Sequence, residues 1–214
     1  LPEEKDWQQL SVDQRWHYRN VEQNTKRTLE RRARLRSWVN DRKRERGCQN
    51  CGERDPACLD FHHQEPAGKE MAITDLITYG YSRERLREEI ANCVVLCANC
   101  HRIEHHASDN RVPIESKTSN QPESSGSVPA TDDREKRRRW LARYKAAIGC
   151  TRCKETDPRC LVFHHDTDEK RDRVSQMVSD GRPAEQIEDE IGRCTVLCSN
   201  CHRKEHFEPP DPTE

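Results

Sequence analysis

The 214-residue chain has no run of 18 or more apolar residues and no secretory leader, so neither a membrane span nor secretion is predicted. It also has little material for a core, because only 31% of its residues are hydrophobic while 36% are charged. Small domains with so little to bury are marginally stable unless a metal or disulfides hold them together. We therefore expect a cytoplasmic protein that is stabilised by more than burial.

One sequence unit is written twice, which predicts two tandem domains. The first copy contains GCQNCGERDPACLDFHH at 47–63 and NCVVLCANCHRIEH at 92–105, and the second contains GCTRCKETDPRCLVFHH at 149–165 and RCTVLCSNCHRKEH at 193–206. A stretch rich in Ser, Pro, Thr and acids separates them and predicts a flexible linker. The predicted organisation is a helical, basic segment at 1–46, a first unit at 47–106, the linker at 107–133, a basic helix plus the second unit at 134–206, and a tail at 207–214.

The twelve cysteines, six in each copy, suit either disulfides or a metal. Paired Cys-x-x-Cys knuckles favour zinc, because two residues between the thiolates let one turn present both sulfurs to one tetrahedral ion. We predict two structural Zn²⁺ sites, formed by Cys48, Cys51, Cys97 and Cys100 and by Cys150, Cys153, Cys198 and Cys201. The remaining Cys58, Cys93, Cys160 and Cys194 are interpreted as buried thiols, although one of them could replace a knuckle cysteine at the zinc.

Within each copy the apolar pattern predicts a strand, a long loop, a second strand and a helix, which is a small α+β fold. The loop contains a possible helix at 73–79, and Ser82 can cap another that runs to Ile90. A helix precedes each first knuckle, and Trp38 and Trp140 are expected to pack these helices onto the zinc units.

Positive charge is concentrated in those two preceding helices. Residues 26–46 carry ten Lys or Arg against three acids, and residues 134–145 carry seven against one. A charged run is commonly only a solvated helix face. Its recurrence at the same place in both copies favours a phosphate-binding surface instead. The candidate nucleic-acid contacts are Arg36, Arg42, Lys43, Arg137, Arg138, Arg102 and Arg203.

Four histidines in each copy flank the predicted zinc sites. His101 and His105 are four residues apart on a helix, so they share one face and can chelate one ion. His62 and His63 are neighbours on a strand and point to opposite sides, so one can be a ligand while the other faces a substrate. The second copy repeats this arrangement with His164, His165, His202 and His206.

The pattern CxxC…LxFHH…K…EIxxCxVLCxNCHRxEH resembles the zinc-containing branch of the HNH endonuclease family, over 47–105 and 149–206. The resemblance implies tandem ββα-metal units that hydrolyse phosphodiester bonds of double-stranded DNA. It implies that His63 and His165 are general bases and that Asn92 braces the loop that orients His63. It also implies one catalytic ion per unit, Mg²⁺, Mn²⁺ or Ni²⁺, held by His62, His101 and His105 and by His164, His202 and His206.

The chain departs from the family pattern at two places. Many members have Asp where His62 and His164 stand, and imidazole there suits Mn²⁺, Ni²⁺ or Zn²⁺ better than Mg²⁺. Arg193 replaces Asn92 in the second copy, and an arginine cannot accept a hydrogen bond. Either Asn200 or backbone groups take over the bracing, or the second unit is less active.

Two nuclease units on one tether predict a single-chain pseudo-dimer that cuts both strands of a duplex. The competing hypotheses are a catalytically silent tandem zinc module that binds nucleic acid and a zinc-stapled scaffold for protein contacts. Only the nuclease needs a histidine beside each metal-binding trio. The sequence defines neither the DNA target nor the biological role, whether restriction, mobility, packaging or repair, and it does not decide between monomer and dimer.

Overall fold

The computed structural model describes residues 9–63, 71–108, 127–129, 131, 133–165 and 172–211. The first copy contains α1 (Val12–Arg19), α2 (Val21–Arg46), a 3-10 turn (Pro56–Cys58), β1 (Leu59–His63), α3 (Ile73–Tyr79), α4 (Arg83–Ala91), β2 (Cys93–Cys97) and α5 (Ala98–Ser108). The second contains α6 (Arg134–Ile148), β3 (Leu161–His165), α7 (Val174–Asp180), α8 (Ala184–Ile191), β4 (Cys194–Cys198) and α9 (Ser199–Glu205). This mixture of helices and small sheets confirms the predicted α+β class.

Each copy has one two-stranded sheet, β1 with β2 and β3 with β4. Strands β3 and β4 are antiparallel, and their register pairs Leu161 with Cys198 and His165 with Cys194. Two strands alone are marginally stable in water, so each sheet needs further support. For the second sheet that support includes a small apolar cluster around Leu161, Val196 and Leu197, which also contains Cys150 and Cys198 of the predicted zinc site.

A second apolar cluster joins the helices of the second copy. Leu141 of α6 packs with Val178 of α7 and Ile187 of α8, and Trp140 lies partly buried against this cluster. The Trp140 ring also contacts Tyr144, with 5.2 Å between the ring centroids. Trp140 therefore packs α6 onto α7 and α8, which in turn position the strand and loop that follow them.

Local capping explains where several helices begin. Ser11 accepts a hydrogen bond from the Gln14 backbone N–H and completes a capping box at α1, and Ser82 accepts one from the Arg85 N–H at α4. Gly149 ends α6 with φ +70°, a conformation that favours glycine. The α4 cap and the Ile73–Tyr79 helix are as the sequence predicts.

The chain divides into two compact units that do not follow the repeat. One comprises Leu1–Arg42, His63–Cys93 and Glu208–Glu214, and the other comprises Lys43–His62 and Val94–Phe207. The second of these compact units, not to be equated with the second repeat, therefore contains both predicted zinc sites and the whole second copy. None of the described helices has the length and apolar character that crossing a membrane requires.

Most of the predicted linker, residues 109–126, 130 and 132, lies outside the described residues. Its described end is packed against the protein. Val128 is 3% exposed, and its backbone N–H donates to Glu188 Oε1 of α8 at 2.7 Å. The chain is thus anchored several residues before α6 begins.

The second compact unit also contains a direct contact between the copies. The Asn99 backbone N–H donates to Asn200 Oδ1 at 3.1 Å, and the Asn200 N–H donates to Asn99 Oδ1 at 3.0 Å. The two asparagines occupy equivalent positions of the repeat. A reciprocal contact between equivalent residues is the hallmark of two-fold symmetry, here formed within one chain.

Candidate metal centres

Two groups of four cysteines converge as the sequence predicts. The first four-cysteine cluster is Cys48, Cys51, Cys97 and Cys100, the second is Cys150, Cys153, Cys198 and Cys201, and the sulfurs of each lie within 4.8 Å of one another. The Sγ atoms of Cys51 and Cys97 are 3.6 Å apart, and those of Cys153 and Cys198 are 3.5 Å apart. A tetrahedral zinc with bonds of about 2.3 Å needs sulfurs about 3.8 Å apart. All twelve cysteines are free thiols, so both clusters can hold zinc.

Tight turns bring the sulfurs of each cluster together. The Gly52 backbone N–H donates to the Cys48 carbonyl at 2.8 Å and closes the first knuckle. At the start of α5 the Cys100 N–H donates to Cys97 Sγ at 3.4 Å, and the Cys201 N–H makes the equivalent contact with Cys198 Sγ at 3.3 Å. Hydrogen bonds from N–H groups to sulfur stabilise a thiolate.

The thiols of the first cluster differ widely in acidity. Burial raises the pKa of Cys48, but backbone N–H groups outweigh it and bring that pKa to about 7. Burial, together with the neighbouring thiols Cys48 and Cys97, raises the pKa of Cys51 to about 11. The pKa of Cys100 is raised further for the same reasons. The second cluster repeats the pattern, with a pKa of about 7 for Cys150 and about 11 for Cys153.

Zinc affinity is expected to fall steeply with decreasing pH. Thiols whose pKa is raised carry protons near neutrality, and zinc must displace them because it binds thiolates. Cys51 and Cys100 would each release one proton and Cys48, with a pKa of about 7, would release part of a third, so the affinity should fall by about 100- to 1000-fold per pH unit. Competition with a colorimetric chelator between about pH 6 and pH 8 measures this slope. An affinity that does not change over this range contradicts the proposed thiolate ligands.

The four other cysteines lie outside both clusters. Cys58 and Cys160 are fully buried, and burial raises the pKa of each to about 12. The Cys93 thiol donates to the Glu89 carbonyl at 3.3 Å, and the Cys194 thiol donates to the Glu190 carbonyl at 3.2 Å. Cys58, Cys93 and Cys160 are buried, as the interpretation as buried thiols expects, whereas Cys194 is only half-buried.

The predicted metal-binding histidines also converge. The first histidine trio is His62, His101 and His105, the second is His164, His202 and His206, and the ligand nitrogens of each lie within 4.8 Å of one another. In the first trio the Nε2 atoms of His101 and His105 are 3.0 Å apart. In the second trio the ring centroids are 4.9 to 5.1 Å apart. The first trio joins His62 of β1 to two histidines of α5, and the second joins His164 of β3 to His202 of α9 and to His206, which caps the end of α9. Each trio can hold one ion.

The histidine that follows each strand ligand has a different partner. His165 Nε2 lies 2.6 Å from Glu190 Oε1, and His63 Nε2 lies 2.6 Å from Glu89 Oε1. Both glutamates are almost completely buried. A neutral imidazole that donates from Nε2 to an ionised carboxylate keeps its lone pair on Nδ1. This is the tautomer that a general base needs.

Glu89 and Glu190 are functional candidates that the sequence reasoning missed. Both lie in the buried stripe of an amphipathic helix, Leu86–Glu89–Ile90 in α4 and Ile187–Glu190–Ile191 in α8. A glutamate at a core position of both copies is the signal that could have identified them.

Asn92, which was predicted to brace the loop that orients His63, lies at the end of α4. It is exposed and ends α4 through its backbone N–H, which donates to the Glu89 carbonyl at 3.2 Å. Arg193 makes the equivalent bond to the Glu190 carbonyl. Any residue supplies that backbone group, and the hydrogen-bond acceptor for the His63 ring is Glu89. Asn200, the alternative brace of the second copy, accepts its bond from Asn99.

The candidate nucleic-acid contacts differ in accessibility. Arg36 and Arg138 are exposed. Arg137 is buried and donates to the carbonyls of Pro129 and Arg182.

Three further candidates are engaged within the protein. Burial lowers the pKa of Lys43, and the carboxylate of Asp60 opposes that shift. Arg102 donates to Ser199, and Arg203 donates to Asp60. The last candidate, Arg42, lies 5.7 Å from the centre of the Trp38 ring. DNA contact by these side chains stays a prediction, and Arg36 and Arg138 are the ones the structure leaves most accessible.

Comparisons with known proteins identify no relative. No protein family, no curated protein and no solved structure matches this chain. The functional argument therefore depends on the geometry of the cysteines, the histidines and the buried glutamates.

Proposed function

We propose that the chain is a metal-dependent HNH-type endonuclease that hydrolyses phosphodiester bonds of DNA. One observation carries the proposal. In both copies three histidines converge on a common point, while the neighbouring strand histidine is bonded to a buried glutamate. The second copy shows all five side chains within one compact unit.

The His165–Glu190 pair supplies the acid–base chemistry. Glu190 accepts the Nε2 proton and fixes the orientation of the ring, so Nδ1 can take a proton from an attacking water. A divalent ion held by the second histidine trio supplies a Lewis acid that stabilises charge on the phosphate and on the leaving oxygen.

An all-imidazole trio favours Mn²⁺, Ni²⁺ or Zn²⁺ over Mg²⁺, because nitrogen ligands are softer than carboxylates. The first copy repeats the same donor set with His62, His101 and His105, and its His63 is bonded to Glu89 in the same way. Each unit is thus proposed to carry one structural zinc and one catalytic ion.

DNA as the substrate is supported by charge. The basic helices α2 and α6 each precede a four-cysteine cluster, and they expose Arg36 and Arg138. Exposed positive groups on a protein attract a polyanion and raise its rate of association. The alternative function is a zinc module that binds nucleic acid without cutting it. That alternative gives no role to a buried glutamate that selects one tautomer of His63 or His165.

A plasmid assay tests the proposal. The zinc-loaded protein is expected to nick or linearise supercoiled DNA with Mn²⁺ or Ni²⁺ and to be inactive with EDTA. The variant His105→Ala/His206→Ala removes one ligand from each trio and should lose cleavage while both four-cysteine clusters keep their zinc. Cleavage that survives in this variant at the original rate contradicts catalysis at the histidine trios and favours the silent zinc module.

A further inference from the structure

We propose that the second copy completes the metal site of the first, because Arg203 positions Asp60 and Asp60 in turn orients the imidazole of His101. This inference rests on the proposed function only in that the first histidine trio binds an ion. It adds a cross-copy contact that sets the affinity of that trio.

The two ring nitrogens of His101 face different groups. Nε2 lies 3.0 Å from Nε2 of His105, so it points into the trio. Nδ1 faces Oδ2 of Asp60 at 3.6 Å, slightly beyond the length of a hydrogen bond. A carboxylate beyond the second nitrogen of a metal-binding histidine fixes the tautomer and the ring orientation, and it makes the ligand nitrogen more basic. Asp60 occupies that position.

The same oxygen of Asp60 is held by the other copy. Arg203, on α9, donates from Nη1 to Asp60 Oδ2 at 2.6 Å. A charge-assisted bond of this length fixes a carboxylate more firmly than solvent does. Asp60 is about a quarter exposed, so without Arg203 its side chain could turn toward water and away from His101.

The contact between α9 and the first copy has further support close to Arg203. Lys204, the next residue, donates to Glu53 Oε2 at 2.9 Å and lies 3.4 Å from Asp55 Oδ2. The reciprocal Asn99–Asn200 bonds lie one helical turn earlier. Helix α9 is therefore docked onto the first copy by contacts in addition to the Arg203–Asp60 pair.

The relay from Arg203 through Asp60 to His101 has no equivalent in the second copy. Val162 stands where Asp60 stands in the first copy, and it carries no carboxylate. Arg102, the equivalent of Arg203, donates to Ser199 Oγ at 3.0 Å instead. The second copy thus supports the ion site of the first without receiving the same support. The second histidine trio, which lacks this relay, therefore serves as an internal control for the first.

The test measures Ni²⁺ affinity by calorimetry in zinc-loaded full-length protein. The parent protein for this series is the variant His202→Ala/His206→Ala, in which only the first histidine trio remains complete. Arg203→Gln and Asp60→Asn are each expected to weaken Ni²⁺ binding by about 10- to 100-fold. Their combination should cost little more than either alone, because both act through one relay. Arg203→Lys should restore part of the loss, since it retains the charge.

Two controls separate positioning from docking. Lys204→Gln removes a neighbouring ion pair and should leave the Ni²⁺ affinity within about twofold, whereas undocking of the copies would weaken binding in this variant too. Arg102→Gln, placed in the variant His101→Ala/His105→Ala, should leave the affinity of the second trio equally unchanged. Circular dichroism confirms that each variant is folded.

The outcomes are distinguishable. Unchanged Ni²⁺ affinity in Arg203→Gln overturns the cross-copy relay, even where Asp60→Asn weakens binding. A loss in Lys204→Gln as large as that in Arg203→Gln also overturns it in favour of general docking. A parent that binds no Ni²⁺ overturns the histidine site of the proposed function, and the relay with it.

Discussion

Removal of zinc is expected to unfold the part of the chain around each four-cysteine cluster. Among the described residues, the buried apolar cluster that includes Cys48 and Cys97 is small, with Leu59, Val95 and Leu96 as its other members. Zinc joins two knuckles that are separated by 45 residues, and such sites bind with about 10–16 kcal/mol. Small domains have a free energy of unfolding of about 5–15 kcal/mol, so the contribution of the metal is as large as the whole stability of such a domain.

Cys97→Ser and Cys198→Ser test this expectation one cluster at a time. Each variant should bind one equivalent of zinc fewer than the wild type and lose part of its helical circular dichroism. Cys194→Ser is the matched control, because Cys194 lies outside the clusters and serine can still donate to the Glu190 carbonyl. A Cys198→Ser protein with wild-type zinc content and thermal stability would show that the cluster is not a metal site.

The double variant His63→Ala/His165→Ala is expected to cleave DNA about 10²- to 10⁴-fold more slowly, which is the usual contribution of a general base. The affinity for Mn²⁺ or Ni²⁺ should change little, because neither residue belongs to a trio. Initial rates of plasmid nicking with each ion measure the effect. His17→Ala is the control, since His17 is exposed on α1, outside the repeated units.

Stability has to be separated from chemistry in this experiment. His165→Ala removes the donor that Glu190 now has, and an unsatisfied buried group costs about 1–3 kcal/mol. His165→Gln keeps an N–H that can donate to Glu190 but removes the base. It should therefore be nearly as stable as the wild type and as inactive as the alanine variant. Activity near the wild-type level in His165→Gln would contradict the assigned role.

The single variants test the two-unit hypothesis. If each unit cuts one strand, His63→Ala alone should convert a linear plasmid product into a nicked one, and His165→Ala should do the same. A product that stays fully double-cut would show that one unit suffices. The result would then support a duplicated chain in which only one copy is catalytic.

The metal-binding groups are the part of the site that sequence could predict. A two-residue knuckle and an i, i+4 histidine pair bring their ligands together through local geometry that hardly depends on the rest of the fold. The distant pairing of Cys51 with Cys97 and of His62 with His101 follows once each copy is recognised as one unit. The structure brings all of these groups together.

The buried acids escaped prediction for a physical reason. Glu89 lies in a helix where Glu84 and Glu88 are exposed, and only its place in the apolar stripe between Leu86 and Ile90 distinguishes it from them. The distinction depends on which helix face packs against the protein, and tertiary structure sets that. Arg137 is the converse case, because one residue of an apparently solvated basic run donates to two backbone carbonyls.

The contact between the copies could not be predicted from the sequence either. Asn99 and Asn200 are small polar residues in short helices, and nothing local shows that each accepts a bond from the other's backbone. The sequence reasoning expected a flexible tether to set the separation of the two units. Within the second compact unit, α5 and α9 are joined by these bonds instead.

That reciprocal asparagine contact has an evolutionary consequence. In an ordinary homodimer every substitution appears on both sides of the symmetry axis, so a charge that helps one subunit is imposed on the other. Covalent fusion removes this restriction, because the two halves of one chain can carry different residues at equivalent positions. Asp60 and Val162, or Lys204 and Ile103, can then diverge. After duplication, one half of such a chain can keep a catalytic site while the other half evolves residues that stabilise that site.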